Sequence, residues 1–243
     1  EEISARLTEV ARLSSDTDWH LGALYRPLLE GRDVTIISAH YSRYVIDLNR
    51  PANDRSLYPG QATTGLIPTT DFEGVGLYTH SDHIDERERQ DRLQRYWVPY
   101  HTALSQEIDR LRGLHEHVLI WEAHSIKSVV SRLFEGRLPD LNLGTHQGAS
   151  CVSTVQSALE ATLDRWSDRY TSAMNGRFKG GYITRQYGAP NEGVHTVQLE
   201  LSQATYLEDE SALVPLWNDR YADDARAVIV DLIKDAMGGL SYV

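Results

Sequence analysis

Apolar residues recur every three or four positions in several parts of the chain, which is the spacing of an amphipathic helix. The spacing predicts one helix from Ile3 to Leu13 and a second through Leu21 to Tyr25. The clearest helical pattern covers about Ile84 to Leu111, where one stripe is apolar and the remaining positions are charged. Two further helices are predicted at residues 155–166 and 222–237.

Short apolar runs between these helices predict strands at residues 34–38, 44–46 and 118–121, and alternating apolar and polar residues predict another at 194–201. Residues 51–82 are rich in Gly, Pro, Thr and Asp and show little periodicity, which predicts a long ordered loop of the kind that usually carries function. Strands separated by helices predict an α/β sandwich around a mostly parallel sheet. Because no repeat or linker is evident, we expect a single domain over residues 1–243.

Polar side chains follow the predicted strand at 44–46. The stretch Ser-Arg-Tyr-Val-Ile-Asp-Leu-Asn-Arg-Pro carries Arg43, Asn49 and Arg50, and Pro51 ends the strand because it has no amide hydrogen to donate. A guanidinium holds a carboxylate through two parallel hydrogen bonds. Functional groups of α/β proteins collect at such strand ends, so the segment predicts a pocket that binds a carboxylate.

Two more predicted strands deliver groups that suit hydrolytic chemistry. His124 follows the strand at 118–121, and an imidazole there is either a metal ligand or a structural hydrogen-bonding residue. Glu200 lies at the end of the strand at 194–201. It is either paired with a buried cation or placed as a general base. Zinc hydrolases commonly use a His-Glu-x-x-His motif, and this chain has none.

The stretch 175–185 holds three cations, Arg177, Lys179 and Arg185, among three glycines. Glycines let a backbone approach a ligand closely, and the cations suit an anion. The alternative is a flexible surface loop with solvated charges, which the interleaved aromatics Phe178 and Tyr182 make less favoured.

Composition narrows the classes of partner. The net charge of −11 argues against a nucleic-acid partner, which requires a basic face. No apolar run approaches the roughly 20 residues that span a bilayer. The single Cys151 excludes an internal disulfide and is typical of a reducing cytoplasm. We expect Cys151 to be a buried thiol and keep a cysteine nucleophile as a distant alternative.

Several motifs in one order resemble the N-formylglutamate amidohydrolase family of bacterial histidine degradation, and they extend from Asp16 to the region of Tyr206. They are Asp-Thr-Asp-Trp, the 42–51 stretch, Ser-Leu-Tyr-Pro-Gly-Gln (56–61), Ala-His-Ser-Ile-Lys-Ser-Val-Val (123–130), Leu-Phe-Glu-Gly-Arg-Leu-Pro-Asp (133–140), the 175–185 stretch and Gln-Leu-Glu-Leu-Ser-Gln (198–203). The family is distantly similar to zinc carboxypeptidases and aspartoacylase. The resemblance implies a three-layer sandwich with a mixed, mostly parallel sheet flanked by helices.

The resemblance also implies roles for residues. Asn49 and Arg50 would hold the α-carboxylate of the substrate, Arg43 would polarise the scissile carbonyl and stabilise the oxyanion, and His124 would bind one Zn²⁺ per chain. Glu200 would activate water and then protonate the leaving amine. The implied substrate is a small anionic acyl-amino acid, and its γ-carboxylate needs a second anion contact. From that charge demand we assign this contact to Arg177, Lys179 and Arg185.

The resemblance identifies only part of the set of metal ligands. Members of the family begin with a strand that leads to Pro-His-Ser-Gly, whose histidine is the first zinc ligand, and no such motif precedes Ile3. We therefore expect the family's amino-terminal strand and first ligand to be missing here, with lower zinc affinity and activity. Asp18 is the candidate second ligand and Asp16 the reserve, while either aspartate is also a candidate N-cap of the following helix.

Three alternatives stay open from the sequence. The first is a deacylase of another N-acyl amino acid, such as an N-acetyl or N-succinyl substrate. The second is a non-catalytic relative that binds a carboxylate without metal, and the third is a hydrolase that uses Cys151. The sequence indicates no oligomeric state.

Overall fold

The structure is a computed structural model that describes residues 2–79 and 84–241. The chain divides into two compact units. Unit 1 comprises the described residues of Glu1–Thr17, Ile36–Asp109 and Val129–Gly136, and unit 2 comprises those of Asp18–Thr35, Arg110–Ser128 and Arg137–Val243. No described helix is both long enough and apolar enough to cross a membrane.

The helices of unit 1 begin with α1 (Glu2–Arg6) and α2 (Glu9–Arg12) in place of the predicted single helix from Ile3 to Leu13. The break occurs because the Thr8 side chain accepts a hydrogen bond from the Ala11 amide at 3.2 Å and caps a new helix. The predicted long helix is confirmed as α4 (Glu86–Arg92), a π-helical turn (Leu93–Trp97) and α5 (Val98–Arg112), whose last residues belong to unit 2.

Two of the predicted strands are wrong. Residues 34–38 form no strand, and Val34 and Ile36 are 48% and 61% exposed, so they do not contribute to a core. Residues 44–46 form no strand, and Tyr44 and Val45 lie in a turn, although Tyr44 and Ile46 are buried as their apolar character requires. The described residues of the 51–82 prediction, 51–79, contain no helix and no extended strand, as expected, and 80–82 lie outside the described residues.

The turn at 44–50 has a local cause. The Val45 amide bonds the Ser42 carbonyl at 2.9 Å, and the Arg50 amide bonds the Asp47 carbonyl at 3.2 Å. The Asp47 side chain also accepts the Asn49 amide at 2.9 Å. Such local bonds compete with a strand ladder for the same backbone groups, so the predicted strand is replaced by turns.

Unit 2 contains the sheet and the remaining helices. Its helices are α3 (Leu21–Leu29), α6 (Ser153–Arg165), α7 (Tyr182–Tyr187) and α8 (Asp219–Leu240), with 3₁₀ turns at Pro190–Glu192 and Gln203–Thr205. Its strands are β1 (Val118–Ile126), β2 (Leu141–Gly144), β3 (Ser172–Met174), β4 (Val194–Ser202), β5 (Leu207–Asp209) and β6 (Leu216–Trp217). The predicted helices at 155–166 and 222–237 and the strands at 118–121 and 194–201 are confirmed.

The principal sheet has the strand order β1-β4-β2-β3. β1 pairs with β4 and β2 pairs with β3 in parallel, whereas β2 and β4 are antiparallel. The prediction of an α/β fold with a mixed, mostly parallel sheet is therefore confirmed. β2 and β3 were missed in the sequence because they are only four and three residues long.

One face of this sheet is apolar and forms the core of unit 2. Successive residues of a strand point to opposite faces. On β4, Val197, Leu199 and Leu201 point to the face that packs against the buried side chains of α3, α6 and α8, together with Leu141 and Leu143 of β2. Thr196, Gln198 and Glu200 point to the other face, and the candidate chemistry of unit 2 lies there.

Arg92 is a buried arginine that contacts several segments of unit 1. Its side chain is 1% exposed, pairs with Glu88 and donates to the Val45 carbonyl at 3.0 Å and the Tyr78 hydroxyl at 3.1 Å. We expect Arg92→Ala to lower the free energy of unfolding by about 2–5 kcal/mol, because it removes a large buried side chain together with its bonds to Val45 and Tyr78, while Glu88 keeps Arg6 as a partner. Urea denaturation measures the change.

Arg95 supplies the matched control for Arg92. It also pairs with a carboxylate four residues earlier, Asp91, but both side chains are 55% exposed. Arg95→Ala is expected to cost less than about 0.5 kcal/mol. Equal losses for the two variants would show that burial of the Arg92 pair is unimportant.

Candidate active site

His124 lies between two carboxylates on the polar face of the sheet. Its Nδ1 is 3.7 Å from Asp18 Oδ1, and its Nε2 is 3.5 Å from Glu122 Oε2. Asp18 Oδ1 also accepts the Ser125 amide at 2.7 Å, which fixes this carboxylate beside β1. Glu122 is buried and accepts a short hydrogen bond from Thr184 Oγ1 of α7. The imidazole therefore has an acidic partner at each ring nitrogen.

These partners set the charge of the imidazole. Burial alone would lower the pKa of His124, but the carboxylates of Asp18 and Glu122 beside its ring nitrogens and the charge of Glu200 outweigh it, so the pKa lies well above its ordinary value. The same surroundings, rich in negative charge, suit a bound cation.

Glu200 is the neighbour of His124 in the sheet. In the pairing of β1 with β4, His124 is opposite Glu200, and in the pairing of β4 with β2, Glu200 is opposite Asn142. Residues paired in this way point to the same face, so the three side chains form one row. Glu200 is only 8% exposed, and Asn142 is 2% exposed.

The partners of Glu200 orient it. Gln198 Nε2 donates to Glu200 Oε2 at 3.2 Å, while Gln198 Oε1 accepts the Gly181 amide at 2.7 Å. Asn142 Nδ2 donates to the Glu200 carbonyl at 3.2 Å, and within the described residues Asn142 Oδ1 has no hydrogen-bond partner. The bond from Gln198 and the burial of Glu200 fix its carboxylate on the polar face of the sheet.

The stretch with three cations is anchored against this face. A Cβ on Gly144 of β2 would lie 2.4 Å from the Gly180 nitrogen, so only glycine permits this approach. The Arg185 guanidinium donates through Nε to the Gly180 carbonyl at 3.0 Å. Arg177, Lys179 and Arg185 are all partly buried, which disfavours the interpretation of a freely solvated loop.

Arg43 and Arg50 form a second group, in unit 1. Arg43 donates a short hydrogen bond to Asp47, and its guanidinium lies 4.4 Å from the Phe72 ring centroid. Arg50 Nε is 3.8 Å from the same Asp47 carboxylate and donates to the Thr64 carbonyl at 3.0 Å. The Asn49 amide also donates to Asp47. All three predicted carboxylate-binding residues of unit 1 thus meet at one buried aspartate.

The two candidate aspartate ligands have different surroundings. Asp18 contacts His124, whereas Asp16 belongs to unit 1 and accepts the Phe72 amide at 2.9 Å. Burial raises the pKa of Asp16 to about 6 despite the nearby charge of Arg43. Neither aspartate is the N-cap of α3, because that position is held by His20 in a left-handed conformation. The N-cap prediction was therefore wrong.

The donors near His124 fit part of a zinc site. A carboxylate and an imidazole nitrogen 3.7 Å apart are the ligand types and roughly the spacing of two groups bound to one zinc ion. A catalytic zinc takes three protein ligands. Across residues 2–79 and 84–241 no group of three or more His, Cys, Asp or Glu side chains is arranged to hold a metal. The described residues thus supply two of the three protein ligands that a catalytic zinc requires, namely Asp18 and His124.

Cys151 does not have the surroundings of a nucleophile. The thiol is 2% exposed, and burial raises its pKa to about 11. Because the thiolate is the reactive form, these surroundings support the expectation of a buried, unreactive thiol and disfavour a hydrolase that uses Cys151 as its nucleophile.

The charge of Asp47 predicts an acid-dependent part of the stability. Burial would raise the pKa of Asp47, but Arg43, Arg50 and the Asn49 amide hold it below the ordinary value of 3.8. A lowered pKa contributes stability that is fully present above the unfolded value and is lost as the pH falls through the folded value. We expect the difference in unfolding free energy between the wild type and Asp47→Asn to shrink below about pH 4. Urea denaturation from neutral to acidic pH checks this, and a difference that does not change with pH would contradict it.

Sequence reasoning missed the supporting residues Glu122, Gln198 and Asn142. A signal existed for the first two, because polar residues alternate with apolar ones in Trp-Glu-Ala-His (121–124) and in Val-Gln-Leu-Glu (197–200). Asn142 carried a weaker form of the same signal in the short Leu-Asn-Leu-Gly stretch at 141–144.

Comparison with known proteins gives consistent results. The sequence model of a family described as N-formylglutamate amidohydrolase matches residues 1–207. An N-formylglutamate deformylase from Pseudomonas aeruginosa is 45% identical over 97% of this chain and 86% of its own length. A protein of the same name from Pseudomonas putida is 43% identical over 94% of this chain and 84% of its own length.

Two solved structures share the fold. A crystal structure of N-formylglutamate amidohydrolase from Ralstonia eutropha has a TM-score of 0.73 at 22% identity and covers 95% of this chain and 86% of its own. The structure of a gene product from Agrobacterium tumefaciens has a TM-score of 0.64 at 20% identity and covers 93% of this chain and 80% of its own. At these identities the structures support the architecture alone.

Proposed function

Because the chain belongs to the N-formylglutamate amidohydrolase family, we propose that it hydrolyses N-formyl-L-glutamate to formate and L-glutamate, as a step of histidine degradation. The near full-length similarity to two deformylases carries this proposal. The chemistry of the candidate residues supports it as well, since arginines and a lysine suit an anionic substrate and the buried carboxylate of Glu200 suits proton transfer.

Substrate recognition is assigned to the cations. Asn49 and Arg50 bind the α-carboxylate, since a guanidinium binds a carboxylate through paired hydrogen bonds. The γ-carboxylate is assigned to Arg177, Lys179 and Arg185. Their partly buried side chains lie on a stretch anchored at Gly144, which supports a fixed rather than a mobile contact.

The proposed cofactor is one Zn²⁺ per chain, held in part by Asp18 and His124. When bound, such a metal supplies Lewis-acid chemistry, polarising a carbonyl and lowering the pKa of a water molecule toward about 7. The chain's own contribution is to hold the two ligands, because the Ser125 amide fixes Asp18 and Glu122 contacts the far nitrogen of His124.

Proton transfer is assigned to Glu200. Its carboxylate takes a proton from the attacking water while the oxygen bonds to the formyl carbon, and it gives that proton to the amide nitrogen as the C–N bond breaks. Arg43 stabilises the negative charge on the carbonyl oxygen between these steps. Burial of Glu200 and its bond from Gln198 support this role, because they keep the carboxylate oriented and largely out of water.

An acyl-substrate panel tests the proposal against a related deacylase. Formate release from N-formyl-L-glutamate should exceed hydrolysis of N-acetyl-L-glutamate, N-succinyl-L-glutamate and N-formyl-L-aspartate in kcat/KM. Arg50→Ala should chiefly raise KM, while Arg55→Ala, an exposed arginine in the same segment, should leave it within about twofold. Preference for a longer acyl group would favour the deacylase alternative, and hydrolysis of none would favour a non-catalytic binding relative.

A further inference from the structure

Asp47 is the point at which the proposed substrate-binding residues of unit 1 converge. Its carboxylate contacts the guanidinium groups of Arg43 and Arg50 and accepts the Asn49 amide. We infer that Asp47 is a positioning residue, which fixes both arginines and the Asn49 backbone in the geometry that the substrate requires. The inference rests on the proposed function, since it takes Arg43, Asn49 and Arg50 as groups that act on the substrate.

The contacts of Arg50 indicate how this works. Arg50 is held by its Nε edge, through the Thr64 carbonyl at 3.0 Å and the Asp47 carboxylate at 3.8 Å. Its terminal Nη groups make no hydrogen bond with the described residues, and the side chain is only 16% exposed. The end of the guanidinium fork thus stays available for a carboxylate. Anchoring through Nε fixes its direction.

Arg43 is held from the other side of the same carboxylate. One of its Nη groups donates to Asp47 and to Thr64 Oγ1 at 3.3 Å, and its guanidinium lies near the Phe72 ring. Asp47 and Thr64 therefore support both arginines at once. A shift of about 1 Å in a positioning group costs on the order of 100-fold in rate, so this shared anchor has kinetic consequences.

Charge gives a second reason for a carboxylate at this position. Two guanidiniums without Asp47 would carry a charge of +2 in a partly buried place, and Asp47 reduces it to +1. That charge matches one substrate carboxylate. Asp47 itself is 6% exposed, and a buried carboxylate requires such partners.

The alternative is that Asp47 only stabilises the fold. Unit 1 contains a second carboxylate shared by two arginines, because Glu88 pairs with Arg6 at 2.8 Å and with Arg92. None of these three residues has a proposed role in the reaction. Glu88→Gln therefore makes the same chemical change at a site that serves stability alone.

A double-mutant cycle separates these roles, using Asp47→Asn, Arg50→Ala and the double variant. In each, KM and kcat for N-formyl-L-glutamate and the inhibition constant of L-glutamate are measured. Asp47→Asn should raise KM and the inhibition constant about 10- to 100-fold and lower kcat about 10-fold. In the Arg50→Ala background the same change should alter KM and the inhibition constant less than about threefold, because the two residues act as a unit.

The outcomes distinguish the inference from the function. Glu88→Gln should lower the unfolding midpoint but leave kcat and KM within about threefold. If the effects of Asp47→Asn and Arg50→Ala on KM and on the inhibition constant are additive, or if Asp47→Asn has wild-type kinetics, the positioning role is overturned. If Arg50→Ala itself leaves KM and the inhibition constant unchanged, the proposed role of Arg50 fails instead.

Asp47→Glu keeps the test decisive if Asp47→Asn does not fold. It retains the charge but moves the carboxylate by one methylene, so the positioning role predicts a loss of at least about 10-fold in kcat/KM. Wild-type kinetics in this variant would show that the placement of the carboxylate does not matter, and would overturn the inference.

Discussion

Replacing Glu200 by glutamine is expected to lower kcat by about 10²- to 10⁴-fold while the protein stays folded. The variant keeps the size and one oxygen of the side chain, so the hydrogen bond from Gln198 can persist. It removes the group that takes the proton from water. Steady-state formate release measures the rate, and circular dichroism with urea denaturation measures folding.

Glu208→Gln is the matched control for this change. Glu208 lies on β5 of unit 2 and is exposed, so its substitution should leave kcat within about twofold. A well-folded Glu200→Gln protein with the turnover of the wild type would remove Glu200 from the mechanism.

Arg43→Ala is expected to reduce kcat/KM by about 100- to 1000-fold, which is the usual cost of losing one donor to an oxyanion. Arg43→Lys should recover only part of this loss, because an ammonium cannot bond Asp47 and the substrate with the planar fork of a guanidinium. The loss should appear mainly in kcat, since Arg43 is assigned to the transition state rather than to the carboxylate.

The structure adds a stability cost to the Arg43 prediction. Without Arg43, the buried Asp47 keeps Arg50 at 3.8 Å as its cation, and we expect the unfolding free energy to fall by about 1–3 kcal/mol. A variant with normal kcat but reduced stability would show that Arg43 holds Asp47 and does not act on the substrate.

Strands β1 and β4 of unit 2, and with them the candidates His124 and Glu200, could be predicted from the sequence. His124 follows a short apolar run and Glu200 lies in an alternating stretch, and both patterns are local properties of the chain. That His124 pairs with Glu200 depends on the register of β1 with β4, which is set by tertiary packing. The sequence pattern therefore identified both residues, but it did not predict that they lie side by side in the sheet.

The segment from Ser42 to Pro51 shows the opposite case. Its apolar residues and proline indicated a strand, but the backbone amides of Asn49 and Tyr44 donate to the side chains of Asp47 and Ser42, and turns form instead. The functional candidates Arg43, Asn49 and Arg50 were found nonetheless, because their chemistry does not depend on the local conformation. Asp47 was not assigned a role, since the number of partners of a carboxylate appears only in three dimensions.

The most direct test of the account is formate release from N-formyl-L-glutamate by the purified chain, before and after treatment with a chelator and after addition of zinc. The proposed mechanism predicts release that the chelator abolishes and zinc restores, with zinc content measured in parallel. Release that is unaffected by complete removal of metal would contradict the zinc mechanism. No release from folded, zinc-loaded protein would contradict the proposed activity itself.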